Sequence, residues 1–256
     1  MSALLQVRGL SRHYGARVGC EDVSFDLHPG ELLCIVGESG SGKSTLLNTI
    51  AAQLAPTSGS VRYRQKSGSW LDIGMLNEAD RRRLAREEWG FVTQNPRDGL
   101  RLNVSAGANV AERLMARGTR HYSHLRDIAR GWLERVEIDP SRIDDAPTGF
   151  SGGMQQRLQI ARTLVTQPRL VFMDEPTAGL DVSVQARILD LLRRLIDELG
   201  LAAVMVTHDL AVARLLAART MVMQGGRVVE TGLTDQILDD PQHPYTQLLV
   251  SSVLTT

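Results

Sequence analysis

Gly37, Glu38, Ser39, Gly40, Ser41, Gly42, Lys43 and Ser44 set three glycines ahead of a lysine and a hydroxyl. Glycines at this spacing let the backbone wrap closely around phosphates with successive amides pointing at them, while Lys43 reaches the outer phosphates and Ser44 is a Mg²⁺ ligand. The context is the required one: the apolar run Leu32, Leu33, Cys34, Ile35, Val36 precedes the loop, and helical periodicity runs through Thr45 over residues 43–52. The helix N-terminus then adds its partial positive charge. A second element ends the apolar run Leu170, Val171, Phe172, Met173 in two carboxylates, Asp174 and Glu175. In phosphate-loop enzymes the first carboxylate supports the metal and a neighbouring group positions the attacking water. Asp174 is the metal partner and Glu175 the base candidate. Such carboxylates also serve as helix caps, and it is the company of the phosphate loop that makes them half of a nucleoside triphosphatase. A third element, Phe150, Ser151, Gly152, Gly153, Met154, Gln155, opens a helical stretch and offers a second anion-binding helix N-terminus.

These groups need elements to hold them. Leu5 and Val7, then Val23, Phe25 and Leu27, alternate with polar residues as in a half-exposed antiparallel sheet, and His28, Pro29, Gly30 turn the chain. From Glu31 the runs are apolar without alternation, and similar ones recur at 170–173 and 202–206. Strands apolar on both faces belong to a parallel sheet covered by helices. Helical periodicity at 43–52, 154–164 and 184–199 alternates with them, which predicts an α/β fold of the phosphate-loop class with an N-terminal antiparallel subdomain. Residues 77–164 show no buried-strand run but carry helix signals at 77–88, 104–116 and 123–136, and most of this stretch reads as a helical insertion. The expected organisation is one domain over 1–256, with a core of about 1–94 and 165–256 and a helical subdomain of about 95–164.

Twenty-nine basic residues balance 29 acidic ones, so no general field draws the chain onto nucleic acid or an anionic membrane. Cys20 and Cys34 are the only cysteines, and Cys34, inside an apolar run, reads as a small buried hydrophobe suited to a reducing cytoplasm. No stretch approaches the ~18 apolar residues of a membrane span, and the N-terminus lacks a secretory pattern. Arg81, Arg82, Arg83 and Arg86, set against Asp80, Glu87 and Glu88, are either a solvated helix face with intrahelical pairs or a docking surface for an acidic partner.

With these motifs in this order, the chain resembles the ATP-binding cassette family, whose signature is usually written Leu-Ser-Gly-Gly-Gln. Here Phe150 stands for the Leu and Met154 for the Gln, as in the branch that includes oligopeptide and nickel importer ATPases, while the Ser-Gly-Gly centre is kept. The resemblance implies ATP and Mg²⁺, held by Gly37, Glu38, Ser39, Gly40, Ser41, Gly42, Lys43, Ser44 and Thr45. It also implies that Ser151, Gly152, Gly153 and Met154 of one chain complete the phosphate loop of a second cassette, so that a monomer is nearly inactive. Further positions are filled at matching places: Tyr14 for stacking on adenine, Gln94 for sensing metal and water, Asp181 after the carboxylate pair, and His208 for the γ-phosphate. The implied catalytic set is Lys43, Gln94, Glu175 and His208; the implied metal set is Ser44, Gln94 and Asp174.

Residues 78–88, 98–115 and 142–162 look like the ATP-binding component of bacterial carbon-phosphorus lyase systems. That resemblance implies a cytoplasmic ATPase, a homodimer or a pair with a related cassette, docked through its helical insertion on the soluble carbon-phosphorus lyase core, without nucleic acid or membrane insertion. Bond cleavage there belongs to a radical subunit with an iron-sulfur cluster, and two cysteines are too few for a four-thiolate site. An importer ATPase shares every catalytic motif and a similar ending, His243, Pro244, Tyr245, Thr246, Gln247, Leu248, Leu249; importers commonly continue into an extension, whereas this sequence ends at Thr256. DNA-repair and ribosome-acting cassettes usually carry long coiled coils or two cassettes per chain. A dinucleotide oxidoreductase is excluded by the lack of a third glycine at the required spacing after Gly40 and Gly42.

Overall fold

The alternation near the N-terminus is realised in β1 (Leu5–Tyr14) and β2 (Arg17–Leu27). Leu5, Val7 and Leu10 on one strand and Cys20, Val23, Phe25 and Leu27 on the other are buried. With β4 (Ser58–Arg64) and β5 (Trp70–Asp72) they form an antiparallel sheet in the order β2-β1-β4-β5. The computed structural model describes residues 2–253. Two compact units divide the chain, Met1–Arg81 with Gly200–Thr256, and Arg82–Leu199.

In the first unit, β3 (Leu32–Val36) is buried along its whole length between β8 (Ala202–Thr207) and β9 (Arg219–Gln224), and runs parallel to both. Its entry is fixed by Glu31, which pairs with Arg219 at 2.7 Å and accepts the His28 amide at 2.7 Å. β9 turns into the antiparallel β10 (Arg227–Leu233) through Gly225 and Gly226, whose φ values of 56° and 85° make the two-residue turn that suits the twist of a hairpin. Helices α1 (Lys43–Ile50), α7 (Leu210–Leu216), α8 (Thr234–Asp239) and α9 (Pro244–Val253) complete it.

The second unit holds α3 (Ala106–Ala116), α4 (Tyr122–Arg135), α5 (Gly152–Leu164), α6 (Val182–Leu199) and β7 (Leu170–Asp174). One expectation fails here: a strand, β6 (Trp89–Val92), lies inside the stretch read as strandless, and pairs in parallel with β7. Four residues give too little periodicity to register, and Gly90 interrupts the apolar run. The glycine is there for packing, since a Cβ would fall 2.6 Å from Thr163 Cγ2. Trp89 meets Phe172 of β7 edge to face at 5.1 Å, and Arg113 of α3 donates to the carbonyls of Ala85 and Trp89. This unit therefore holds the β6–β7 pair together with its helices. Its helices follow the expected positions within about two residues, and its buried Asn109 is fully bonded to the backbone of Arg101, Val104 and Ser105. The first unit's boundary falls inside α2 (Glu78–Glu87), whose Arg81 donates to the Leu76 carbonyl. Among the described residues no helix is long and apolar enough to cross a membrane.

Candidate active site

Parallel pairing brings the chemistry of the first unit to one edge. Val36 at the end of β3 is in register with Thr207 at the end of β8, so Gly37 and His208, the next residues, leave neighbouring strand ends. Ligands of open parallel sheets bind outside these carboxyl ends. The loop itself is seated on backbone. A Cβ on Gly37 would come within 2.3 Å of the Met223 carbonyl, and one on Gly42, at φ 103°, within 2.1 Å of the Gly19 carbonyl. Gly226 donates to the Ser41 carbonyl at 2.9 Å, so the β9–β10 turn clamps the loop from below. Gly42 is the N-cap of α1, leaving the helix start to bare amides and no side-chain cap. The Lys43 side chain is 5% exposed and its Nζ donates to the carbonyls of Gly37 (2.7 Å) and Glu38 (2.8 Å). The buried Ser41 hydroxyl has no partner among the described residues, and the surroundings of the Gly40 Cβ position are open. Such a cradle of amides, an ammonium and an unsatisfied hydroxyl suits an anion.

Glu38, Ser39 and Ser44 are exposed and Thr45 half-buried. Thr45 and Tyr14 converge on Gly19, whose added Cβ would touch Thr45 Cγ2 at 2.7 Å and Tyr14 Cε2 at 2.9 Å. Tyr14, 43% exposed, therefore stands beside the phosphate helix. The Arg12 guanidinium covers one face of its ring at 4.8 Å. His208 is exposed, and the next residue, Asp209, caps α7 by accepting the Ala211 amide at 2.8 Å.

The second unit repeats the strand-end logic. Val92 of β6 is in register with Met173 of β7, which places Gln94 two residues past the end of β6, Asp174 at the end of β7 and Glu175 just beyond it. Glu175 has φ 42°, an unusual conformation for a residue with a Cβ. Held strain of this kind clusters at functional sites, and here it falls on the first residue past β7. Gln94 is exposed; its neighbour Thr93 is held by the amide of the buried Gln159. A cavity of about 420 Å³ is lined by Gln94 to Arg97, by Phe150, Gly152, Gln155 and Gln156, and by Ala178 to Leu180. Three segments far apart in sequence thus share one opening. Asp181 is exposed, and its carbonyl accepts the Gln185 amide at the start of α6.

Ser151 is the N-cap of α5 and accepts the Met154 amide at 3.3 Å. Gly153 is buried, and its added Cβ would lie 2.5 Å from Val184 Cγ1 of α6. The two departures from the usual signature meet at one side chain. Arg142 stacks its guanidinium over the Phe150 ring at 4.5 Å and reaches the Met154 sulfur at 3.6 Å, while Asp145 pairs with it at 2.7 Å. Sequence reasoning passed over Arg142, Gly19 and the Gly225–Gly226 turn. Only the turn carried a local signal, a glycine pair between the apolar runs 221–223 and 228–229.

A phosphate cradle between a buried parallel strand and a helix, together with carboxylates at the end of another strand, defines a phosphate-loop nucleoside triphosphatase. Residues 20–178 match the ABC transporter family, and residues 229–256 match the oligopeptide/dipeptide transporter C-terminal region. The chain is 65% identical to the putative phosphonates utilization ATP-binding protein PhnK of Escherichia coli (strain K12), over 98% of each chain. It is 36% identical to a putative peptide import ATP-binding protein of Brucella ovis, over 98% of this chain and 78% of that one. Among solved structures it is similar to the dimeric post-hydrolysis state of the ATP-binding cassette MJ0796 bound to ADP and Pi, with TM-score 0.79 and 30% identity over 90% of this chain and 98% of that one. The chain belongs to the ABC transporter family, as an ATP-hydrolysing cassette.

Proposed function

We propose that this cassette hydrolyses ATP as one half of a closed dimer and works on the soluble core of a carbon-phosphorus lyase in phosphonate breakdown in the cytoplasm. The observation that carries the choice of system is 65% identity to PhnK across 98% of both chains. The dimer is supported by the MJ0796 cassette, and by a second anion-facing helix start at Ser151–Gly153 that the chain's own phosphate loop does not need.

In this reading the loop amides and Lys43 hold the β- and γ-phosphates, and Tyr14 stacks adenine on the ring face that Arg12 leaves free. Ser44, Gln94 and Asp174 would hold Mg²⁺. All three offer hard oxygen donors, the kind Mg²⁺ takes alongside phosphate oxygens, and no three His, Cys, Asp or Glu gather into a protein-only cage among the described residues. When bound, the ion neutralises charge on the β- and γ-phosphates. Glu175 accepts a proton from water as its oxygen bonds to the γ-phosphorus and the bond to the β-phosphate oxygen breaks, releasing ADP and phosphate. His208 contacts the γ-phosphate, Asp181 lies at the dimer seam, and the Ser151–Met154 helix start of a second copy faces the same phosphate. Positioning and charge neutralisation supply most of the acceleration in such a reaction.

A second reading, an importer subunit, is favoured by the match of residues 229–256 to the oligopeptide/dipeptide transporter C-terminal region. Tagged Glu175→Gln protein, captured with ATP and Mg²⁺ from cells starved of phosphate and fed a phosphonate, separates the two. Recovery of soluble lyase subunits supports the lyase role, and recovery of a membrane permease overturns it in favour of the importer.

A further inference from the structure

The C-terminal helix reaches the phosphate loop. Glu230 on β10 accepts the backbone N–H groups of Gln242 (2.8 Å) and His243 (3.0 Å), and His243 Nδ1 accepts the Tyr245 N–H at 3.2 Å. These bonds set the start of α9 and seat the Tyr245 ring in the interior at 7% exposure. Its hydroxyl then accepts the Glu38 N–H at 3.0 Å, across 207 positions of sequence. That N–H belongs to the same peptide group as the Gly37 carbonyl, which accepts Lys43 Nζ at 2.7 Å. One peptide plane is therefore held at both ends, by the tyrosine at its N–H and by the lysine ammonium at its carbonyl. A hydrogen bond at one end of an amide polarises the other, and a plane bonded at both ends cannot rotate without giving up both bonds. Filling the interior asks only for the ring, which phenylalanine would supply equally. The hydroxyl aimed at a loop amide is what packing does not account for.

We infer that Tyr245 is a positioning residue for the phosphate loop: by fixing the Gly37–Glu38 peptide it sets the resting place of the Lys43 ammonium and ties nucleotide affinity to the seating of α9. The inference rests on the reading of residues 37–45 as the ATP site. It makes the segment around His243–Tyr245, which serves no step of hydrolysis directly, a determinant of how tightly ATP is held.

The test compares wild type, Tyr245→Phe, Glu230→Gln and Leu248→Ala, the last on an exposed position of the same helix. Each is measured for equilibrium binding of ATP with Mg²⁺, for KM and kcat, and for thermal unfolding. Tyr245→Phe is expected to weaken ATP binding roughly three- to tenfold, the size of one ordinary hydrogen bond. KM should rise by a similar factor with kcat within about twofold, because binding of ground and transition states is reduced alike. Glu230→Gln should shift affinity in the same direction by less, and Leu248→Ala should match wild type. Unchanged ATP affinity in Tyr245→Phe, whether or not the melting temperature falls, overturns the inference and leaves Tyr245 a packing residue. Failure of the wild type and Leu248→Ala to bind ATP at all would instead remove the nucleotide reading beneath it.

Discussion

Gly153→Ala separates two explanations of a signature glycine, close approach of a phosphate and close approach of a helix. An added Cβ would lie 2.5 Å from Val184 Cγ1, well inside contact distance, with no other atom nearer than 3.8 Å. Alanine is favoured over glycine in a helix by about 1 kcal/mol. Against this stands overpacking of the α5–α6 contact, which costs about 1–3 kcal/mol because the β-branched Val184 is stiff at χ1 and sits on the first turn of α6. The net expectation is a loss of roughly 0–2 kcal/mol, or a melting temperature lower by up to about 8 °C for a chain of this size. The clash has one partner, so it has one remedy. Val184→Ala removes the offending methyl, and the double variant should recover stability with a coupling of about 1–2 kcal/mol. ATPase activity should follow the same cycle, falling in the single variant as α5 shifts and returning in the double. Thermal denaturation and steady-state turnover on the four proteins give the answer. A single variant more stable than wild type, or a double variant whose effects simply add, would refute the packing argument and return Gly153 to a phosphate-contact role alone.

Glu175→Gln should keep ATP bound in closed dimers while turnover falls by roughly 10²-fold or more, as loss of a general base does; unchanged turnover, read by phosphate release, removes Glu175 from its role. Desolvation raises the Glu230 pKa, but the nearby Thr246 hydroxyl and the hydrogen bonds from the Gln242 and His243 N–H groups outweigh it and hold the carboxyl below the ordinary 4.5. Its folded pKa is the depressed one, so its contribution to stability is present above pH 4.5 and is lost as pH falls through the folded value. Acid titration followed by near-ultraviolet signal from Tyr245 should show this loss in wild type and not in Glu230→Gln. Burial pushes the Cys34 thiol up to about 12 and raises Cys20 as well, so neither should react with a thiol reagent at pH 8 until the protein is unfolded, when both should.

Much of the site is legible in the chain because its chemistry is local. Gly37 to Ser44 are contiguous, the strand before and the helix after them are strong periodic signals, and Asp174–Glu175 follow directly on a buried run. An amide cradle and a strand-end carboxylate are defined by neighbours within a few residues, so composition and spacing suffice to specify them. What sits beside them is a different matter. That Gly37 leaves the sheet next to His208 follows from the pairing of Val36 with Thr207, and that Gln94 stands near the carboxylates follows from β6, a strand too short to announce itself. Gly153 reads as a ligand glycine until Val184 is seen against it, and Tyr245 reads only as part of an ending shared with importers until its hydroxyl is found on the Glu38 amide. Register and close approach are relations between segments tens to hundreds of residues apart, made by hydrogen bonds and packing that leave no periodic trace in either segment. The sequence by itself determined which groups do the chemistry; the tertiary structure decided which groups hold them in place.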